Sequence, residues 1–226
     1  MTSAPSHPSE APMPPQIPHD DVRIPRQRPP AEDDGPPQVR EAERANAAGA
    51  ELLHEGDAPA AVRMFDQALK TCVDVLGGDH PDTLRAAGNL AVARFLAGDG
   101  RRGLRELAAA VAAREKVYGP DHPETLNARS AEAVAHRLAG DADAALALAK
   151  DVVVRRSRTL GAVHEDTLTS RIGLAAALAV AGDAAAAHRI VSATLTAAAE
   201  ALGPDHPRYL ALIEYGESAG LIRLTT

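Results

Sequence analysis

A 42-residue period constrains this chain more than any other feature. His80, His122, His164 and His206 recur at that spacing inside the strings LGGDHPDTL, YGPDHPETL, LGAVHEDTL and LGPDHPRYL. A second comb of Gly56-Asp57, Gly98-Asp99, Gly140-Asp141 and Gly182-Asp183 runs at the same pitch, midway between the histidines. Residues 76–99 and 118–141 agree at 14 of 24 positions. A period of 20–50 residues is the signature of a solenoid or array, in which each unit buries its apolar face only by stacking on the next.

The two combs predict where helices begin and end. At the histidine strings, proline at the first helical position pre-sets φ and lacks an N–H that would be unpaired there anyway. The residue before proline is driven out of helical geometry, which places His80, His122 and His206 at N-caps. Asp82, Glu124 and Asp166 then fall in first turns, where negative charge suits the helix dipole. At the other comb, glycine ends one helix with positive φ and aspartate caps the next. First helices are thus expected at 39–54, 81–97, 123–139 and 165–181, with partners at 58–75, 100–117, 142–159 and 184–201 and a ninth helix from Pro207. The expected fold is all-α, four antiparallel helix pairs with a capping helix. The repeats span 39–80, 81–122, 123–164 and 165–206 of a domain covering 38–226.

Residues 1–37 differ in kind, holding 11 of the 17 prolines and few apolar residues beyond Met13, Ile17, Val22 and Ile24. Such a segment cannot bury enough surface to offset its ordering entropy and is expected to be a disordered tail with polyproline II character. Pro12 to Pro18 offers proline-rich strings to a recognition domain or to the chain's own groove. With only five aromatic residues, the core must be built from alanine, leucine and valine. The formal charge of −7 argues against sequence-independent nucleic-acid binding, which needs a cationic face. No apolar run spans a bilayer and no secretory signal is visible, so a cytoplasmic location is expected. The lone Cys72 agrees with a reducing compartment. Only three lysines among 24 basic residues, in an alanine-rich chain, hint at a bacterial source with GC-rich DNA.

The string LGPDHPxTL, the Asn89-Leu90-Ala91 triplet and the Gly-Asp turn followed by a small residue resemble the tetratricopeptide repeat in its 42-residue form. That form is familiar from kinesin light chains and bacterial signalling proteins. The resemblance covers about residues 39–215. It implies a right-handed superhelix whose first helices line a concave groove for peptides or partner helices. It places Leu90, Ala91, Gly103, Leu107 and Ala110 in the core. Ala61, Ala145 and Ala187 take the small packing position, with Phe65, Ala149 and Val191 at the larger one. The family's ligand-holding asparagine survives at Asn89, while Ala47, Ala131 and Gly173 replace it elsewhere, so an asparagine ladder is absent. A carboxylate clamp is not expected, since first helices carry no lysine and Val92 and Val134 stand where one clamp asparagine would be.

Helical phase aligns Arg85, Asn127 and Thr169 in one groove row and Asn46, Gly88, Ser130 and Ile172 in another. Asn89, Val92, Phe95, Leu96, Val134, Arg137 and Leu138 lie beside them, a mixed apolar and basic floor suited to an amphipathic helix or hydrophobic peptide. The basic clusters Arg101-Arg102-Arg105 and Arg155-Arg156-Arg158 read as solvated convex surface.

The four histidines with Asp79, Asp121 and Asp205 are ligand residue types. Repeats about 8–10 Å apart nevertheless spread them along an edge instead of around one ion, so no metal is expected. No nucleophile elbow, P-loop or dinucleotide fingerprint occurs, so neither catalysis nor a cofactor is expected. The resulting expectation is a non-catalytic adaptor whose partner is a protein or peptide segment. The alternatives are a peptide- or metabolite-responsive sensor and an accessory subunit of a biosynthetic enzyme. Leu221, Ile222 and Leu224 motivate a further possibility, self-association.

Overall fold

The computed structural model describes residues 36–222, and all its regular structure there is helical. The first helices of the pairs are α1 (Pro37–His54), α3 (Pro81–Leu96), α5 (Pro123–Leu138) and α7 (Glu165–Val180). Their partners are α2 (Ala58–Leu76), α4 (Gly100–Tyr118), α6 (Ala142–Leu160) and α8 (Ala184–Leu202), and α9 (Pro207–Ser218) closes the series. These bounds lie within two residues of the sequence expectation. The chain is an all-α superhelical solenoid of antiparallel helix pairs. The proline-rich segment 1–35 and Leu224 lie outside the described residues.

The capping logic operates at most boundaries, the exception among the Gly-Asp turns being Asp99, whose side chain makes no cap hydrogen bond. Each of His80, His122, His164 and His206 accepts, through Nδ1, the backbone N–H two residues on, at 3.2 Å in all four cases. His164 does so before glutamate, so the imidazole cap does not depend on the proline. Thr83 and Thr125 add a second clasp, donating to the carbonyls of Gly77 and Gly119 at 2.7 and 2.8 Å. At the opposite turns, Gly56, Gly98, Gly140 and Gly182 take φ between 81 and 95°, a region open to glycine at little cost. Asp57, Asp141 and Asp183 then accept from the N–H three residues ahead.

Small residues let the helices approach closely. Ala61, Ala145 and Ala187 are buried, and a Cβ placed on Gly103 would stand 2.6 Å from Phe95 Cβ. Phe65, Leu107, Ala149 and Val191 fill the larger position and are also buried.

Consecutive first helices touch one another, α1 with α3, α3 with α5, α5 with α7 and α7 with α9. The second helices make their substantial contacts only with first helices. A layer whose members are in mutual contact follows the shorter arc, so the first helices line the inner face of the curve. At the end of the stack, Leu210 is 52% exposed, whereas its register equivalents Leu84, Leu126 and Leu168 are at most 5% exposed. The chain then turns at Gly220, and Leu221 donates to the Gly216 carbonyl at 2.8 Å. Leu221 and Ile222 pack against the last core cluster, so both residues serve this chain's own interior.

Candidate groove on the first helices

The residues that helical phase aligned in rows differ in access. Arg85, Asn127 and Thr169 are each half-buried at one level of α3, α5 and α7. Arg85 pairs with Asp82 at 2.6 Å, one turn back. Ser130, Val134 and Arg137 continue along α5 as half-buried residues, and Ser130 returns its hydroxyl to the Leu126 carbonyl at 2.9 Å. Thr169 borders a cleft of about 40 Å³ with Leu168, Leu212 and Tyr215, lined also by Arg208 and Glu165, which pair at 2.7 Å.

Other predicted groove residues sit deeper. Asn89 is 7% exposed and donates from Nδ2 to Asn46 Oδ1 at 3.1 Å, so its carboxamide is spent on a neighbouring repeat. Val92 and Ile172 are core residues. Phe95 is half-buried because its backbone and Cβ face Gly103 and its ring lies over Gly100. Asn89 is covered where α1 and α3 pack together, and Phe95 where α3 packs on its partner α4.

The reading of Arg155-Arg156-Arg158 as solvated surface requires correction. Arg155 and Arg158 behave as expected, holding Asp121 at 2.8 and 2.6 Å on the outside. Arg156 turns inward and is 5% exposed. It donates to Asn127 Oδ1 on α5 and to the Asp166 carbonyl and Ser170 Oγ on α7. Arg114, one period earlier, is 6% exposed and donates to the carbonyls of Leu84 and Ala110 at 2.7 and 3.1 Å. Burial pushes both guanidinium pKa values down, opposed by Glu124 and Tyr118 for Arg114 and by Asp166 for Arg156. Neither has a carboxylate in ion-pair contact among the described residues. The shared register was the available signal: Cys72, Arg114, Arg156 and Ala198 are 42 apart, and only the two central repeats place arginine there.

Glu132 was also missed. It occupies the register of Leu90 and Leu174, is 9% exposed, and has its pKa raised by burial, an effect that His136 and Arg129 oppose and Glu115 reinforces. The outer ion pairs are more conventional. Arg94 joins Glu106 and Asp66, and Arg129 joins Glu115 and Asp151, each tying second helices together through a first-helix arginine. Among the described residues, no three histidine, cysteine, aspartate or glutamate side chains gather as a metal-binding group. No helix there is long and apolar enough to cross a membrane.

Family models described as tetratricopeptide repeat match residues 41–102, 89–156 and 167–208. No curated protein matches the chain. Among solved structures, the chain is similar to the nearly identical repeats of a Podosopora anserina protein assigned as a kinesin light chain. That match has 24% identity and a TM-score of 0.66, over 81% of this chain and 88% of the other. A single-substitution variant of that protein gives 24% and 0.67, over 82% and 89%. BtubC (BKLC) from P. vanneervenii gives 17% and 0.65, over 78% and 70%.

Proposed function

The chain belongs to the tetratricopeptide repeat family, and from that premise we propose that it is a non-catalytic adaptor holding a segment of a partner protein against α3, α5 and α7. Repeats of this family generally mediate protein–protein interaction. The observation that carries the reading is the half-buried strip of Arg85, Asn127, Ser130, Val134 and Thr169 on helices that touch side by side along the inner face. Asn89, Val92 and Phe95 support that strip from beneath, and Arg137 borders it. An apolar floor with polar residues at its edges fits an amphipathic segment, whose apolar side chains lose water there while its polar ones keep their partners. A cytoplasmic setting accords with the free, buried Cys72.

Selection of a displayed random-peptide library on the full chain tests the proposal. Peptides that bind the unaltered protein should bind a Val134→Arg variant at least about tenfold more weakly, with helicity by circular dichroism unchanged. A new guanidinium on the floor removes apolar contact and strands a charge. Equal binding by the two proteins would reject the groove.

A further inference from the structure

Arg156 holds the seam between α5 and α7 from α6, donating to Asn127 Oδ1, the Asp166 carbonyl and Ser170 Oγ. One period on, the same four places are Ala198, Thr169, Arg208 and Leu212. Ala198 is fully buried and ends at Cβ, so no guanidinium from α8 reaches into the seam between α7 and α9. The cleft of about 40 Å³ lies there, because Thr169, Arg208 and Leu212, the counterparts of all three residues that Arg156 bonds, line it. It is the space that an arginine fills one repeat earlier.

The lining has changed with the loss of the cation. Asp166, whose charge favours the Arg156 guanidinium, gives way to Arg208, and the Ser170 hydroxyl gives way to the Leu212 side chain. Leu168, Leu202 and Ala211 complete the apolar walls. Tyr215, in the place of Gly173, takes up part of the vacated room and brings its hydroxyl to within 3.7 Å of where a Cβ on Gly173 would stand. Arg208 and Glu165, 58% and 45% exposed, pair at 2.7 Å and leave the lining without net charge. At ~10–15 Å³ per water, what remains holds about three waters, or the three carbons of an isopropyl group. Waters among leucines find few polar partners, and an apolar group that displaces them gains affinity.

We infer that this cleft is a subsite for a valine-sized aliphatic side chain of the bound segment. The inference rests on the groove reading above, because Thr169 belongs both to the proposed strip and to the cleft. A guest guanidinium would meet Arg208 where Arg156 meets Asp166, and would lack the acceptor that Ser170 provides. A carboxylate or ammonium would exchange water for apolar walls, beside two charges that already answer each other. An aromatic ring is too large for the room that Tyr215 leaves.

The test follows the methyl resonances of Thr169, Ala211 and Leu212 in the methyl-labelled full chain. The probe is N-acetyl-valine N-methylamide, and the alanine, phenylalanine and arginine analogues serve as controls. A saturable shift with the valine probe, at least about tenfold weaker with the alanine analogue because it buries two fewer carbons, supports the subsite. The response should vanish in Ala198→Arg, which returns the guanidinium to the seam. It should also vanish in Ala211→Leu, which fills the cleft from α9 and serves if Ala198→Arg fails to fold. No shift, equal shifts with all four probes, preference for the arginine or phenylalanine analogue, or an unaltered response in Ala211→Leu would overturn the inference. Library peptides that depend on Val134 but bind Ala211→Leu as tightly as the unaltered chain would do the same while leaving the groove intact. Peptides indifferent to Val134, beside a valine response that Ala211→Leu removes, would reject the groove and keep the aliphatic site.

Discussion

Glu132→Leu should make this protein more stable at neutral pH, by an amount that shrinks on acidification. Leu90 and Leu174 at the same register are 2% and 8% exposed, so leucine fits this environment in both neighbouring repeats. Glutamate already buries two methylenes there, and the leucine side chain adds about 1 kcal/mol of apolar burial. Removing a poorly solvated carboxyl adds about 1–2 kcal/mol, after allowance for its attraction to His136 and Arg129. The sum is about 2–3 kcal/mol at pH 7, or roughly 4–12 °C in Tm for a domain of this size.

The sign of the pH dependence follows from linkage. Burial raises the folded-state pKa of Glu132 above its ordinary 4.5. Its contribution to stability is therefore fully present below the unfolded value and is lost as pH rises through the folded one. The variant lacks this loss, so its advantage should be smallest near pH 4 and grow towards pH 7. Urea unfolding followed by circular dichroism at several pH values measures the difference, with Glu132→Gln separating loss of charge from gain of apolar surface. A leucine variant no more stable than wild type at pH 7, or an advantage independent of pH, would refute the reasoning.

Gly103→Ala should destabilise by about 1–3 kcal/mol, since the new Cβ meets Phe95 backbone and Cβ at 2.6–2.7 Å and the helices must part; thermal unfolding reads this. His122→Ala should cost about 1 kcal/mol, through loss of the N-cap to Glu124 and of ring stacking on Tyr118 at 4.7 Å. Arg156→Leu should change global stability little, because burying the cation is itself costly, yet it should speed amide exchange in the first turns of α7, where the Asp166 carbonyl and Ser170 lose their tie. Equal exchange in variant and wild type would show that Arg156 is not what holds those turns.

Helix ends were legible in the sequence because caps are local: a histidine, proline, aspartate or glycine acts within three residues of itself. The small core positions were legible because they repeat. Arg156 was not, since its neighbours Arg155 and Arg158 do face Asp121 and make the run look like one solvated patch. Which of three adjacent arginines turns inward depends on rotation about α6 and on whether Asn127 and Ser170 wait across the seam. Comparing repeats position by position would have exposed it, as it would have exposed glutamate in a leucine column at Glu132. The pairing of Asn89 with Asn46 depends on how closely α1 and α3 approach, a tertiary distance that no single repeat encodes.

The unequal contact of the two helix layers also has a mechanical consequence. With the first helices already touching and the second helices joined mainly through them, bending the stack inward compresses atoms in contact, while opening it draws the first helices apart and closes the looser outer layer. The molecule should thus behave as a one-way spring, stiff against tighter coiling and compliant against uncoiling. A pull on its two ends would widen the inner face before any helix melts.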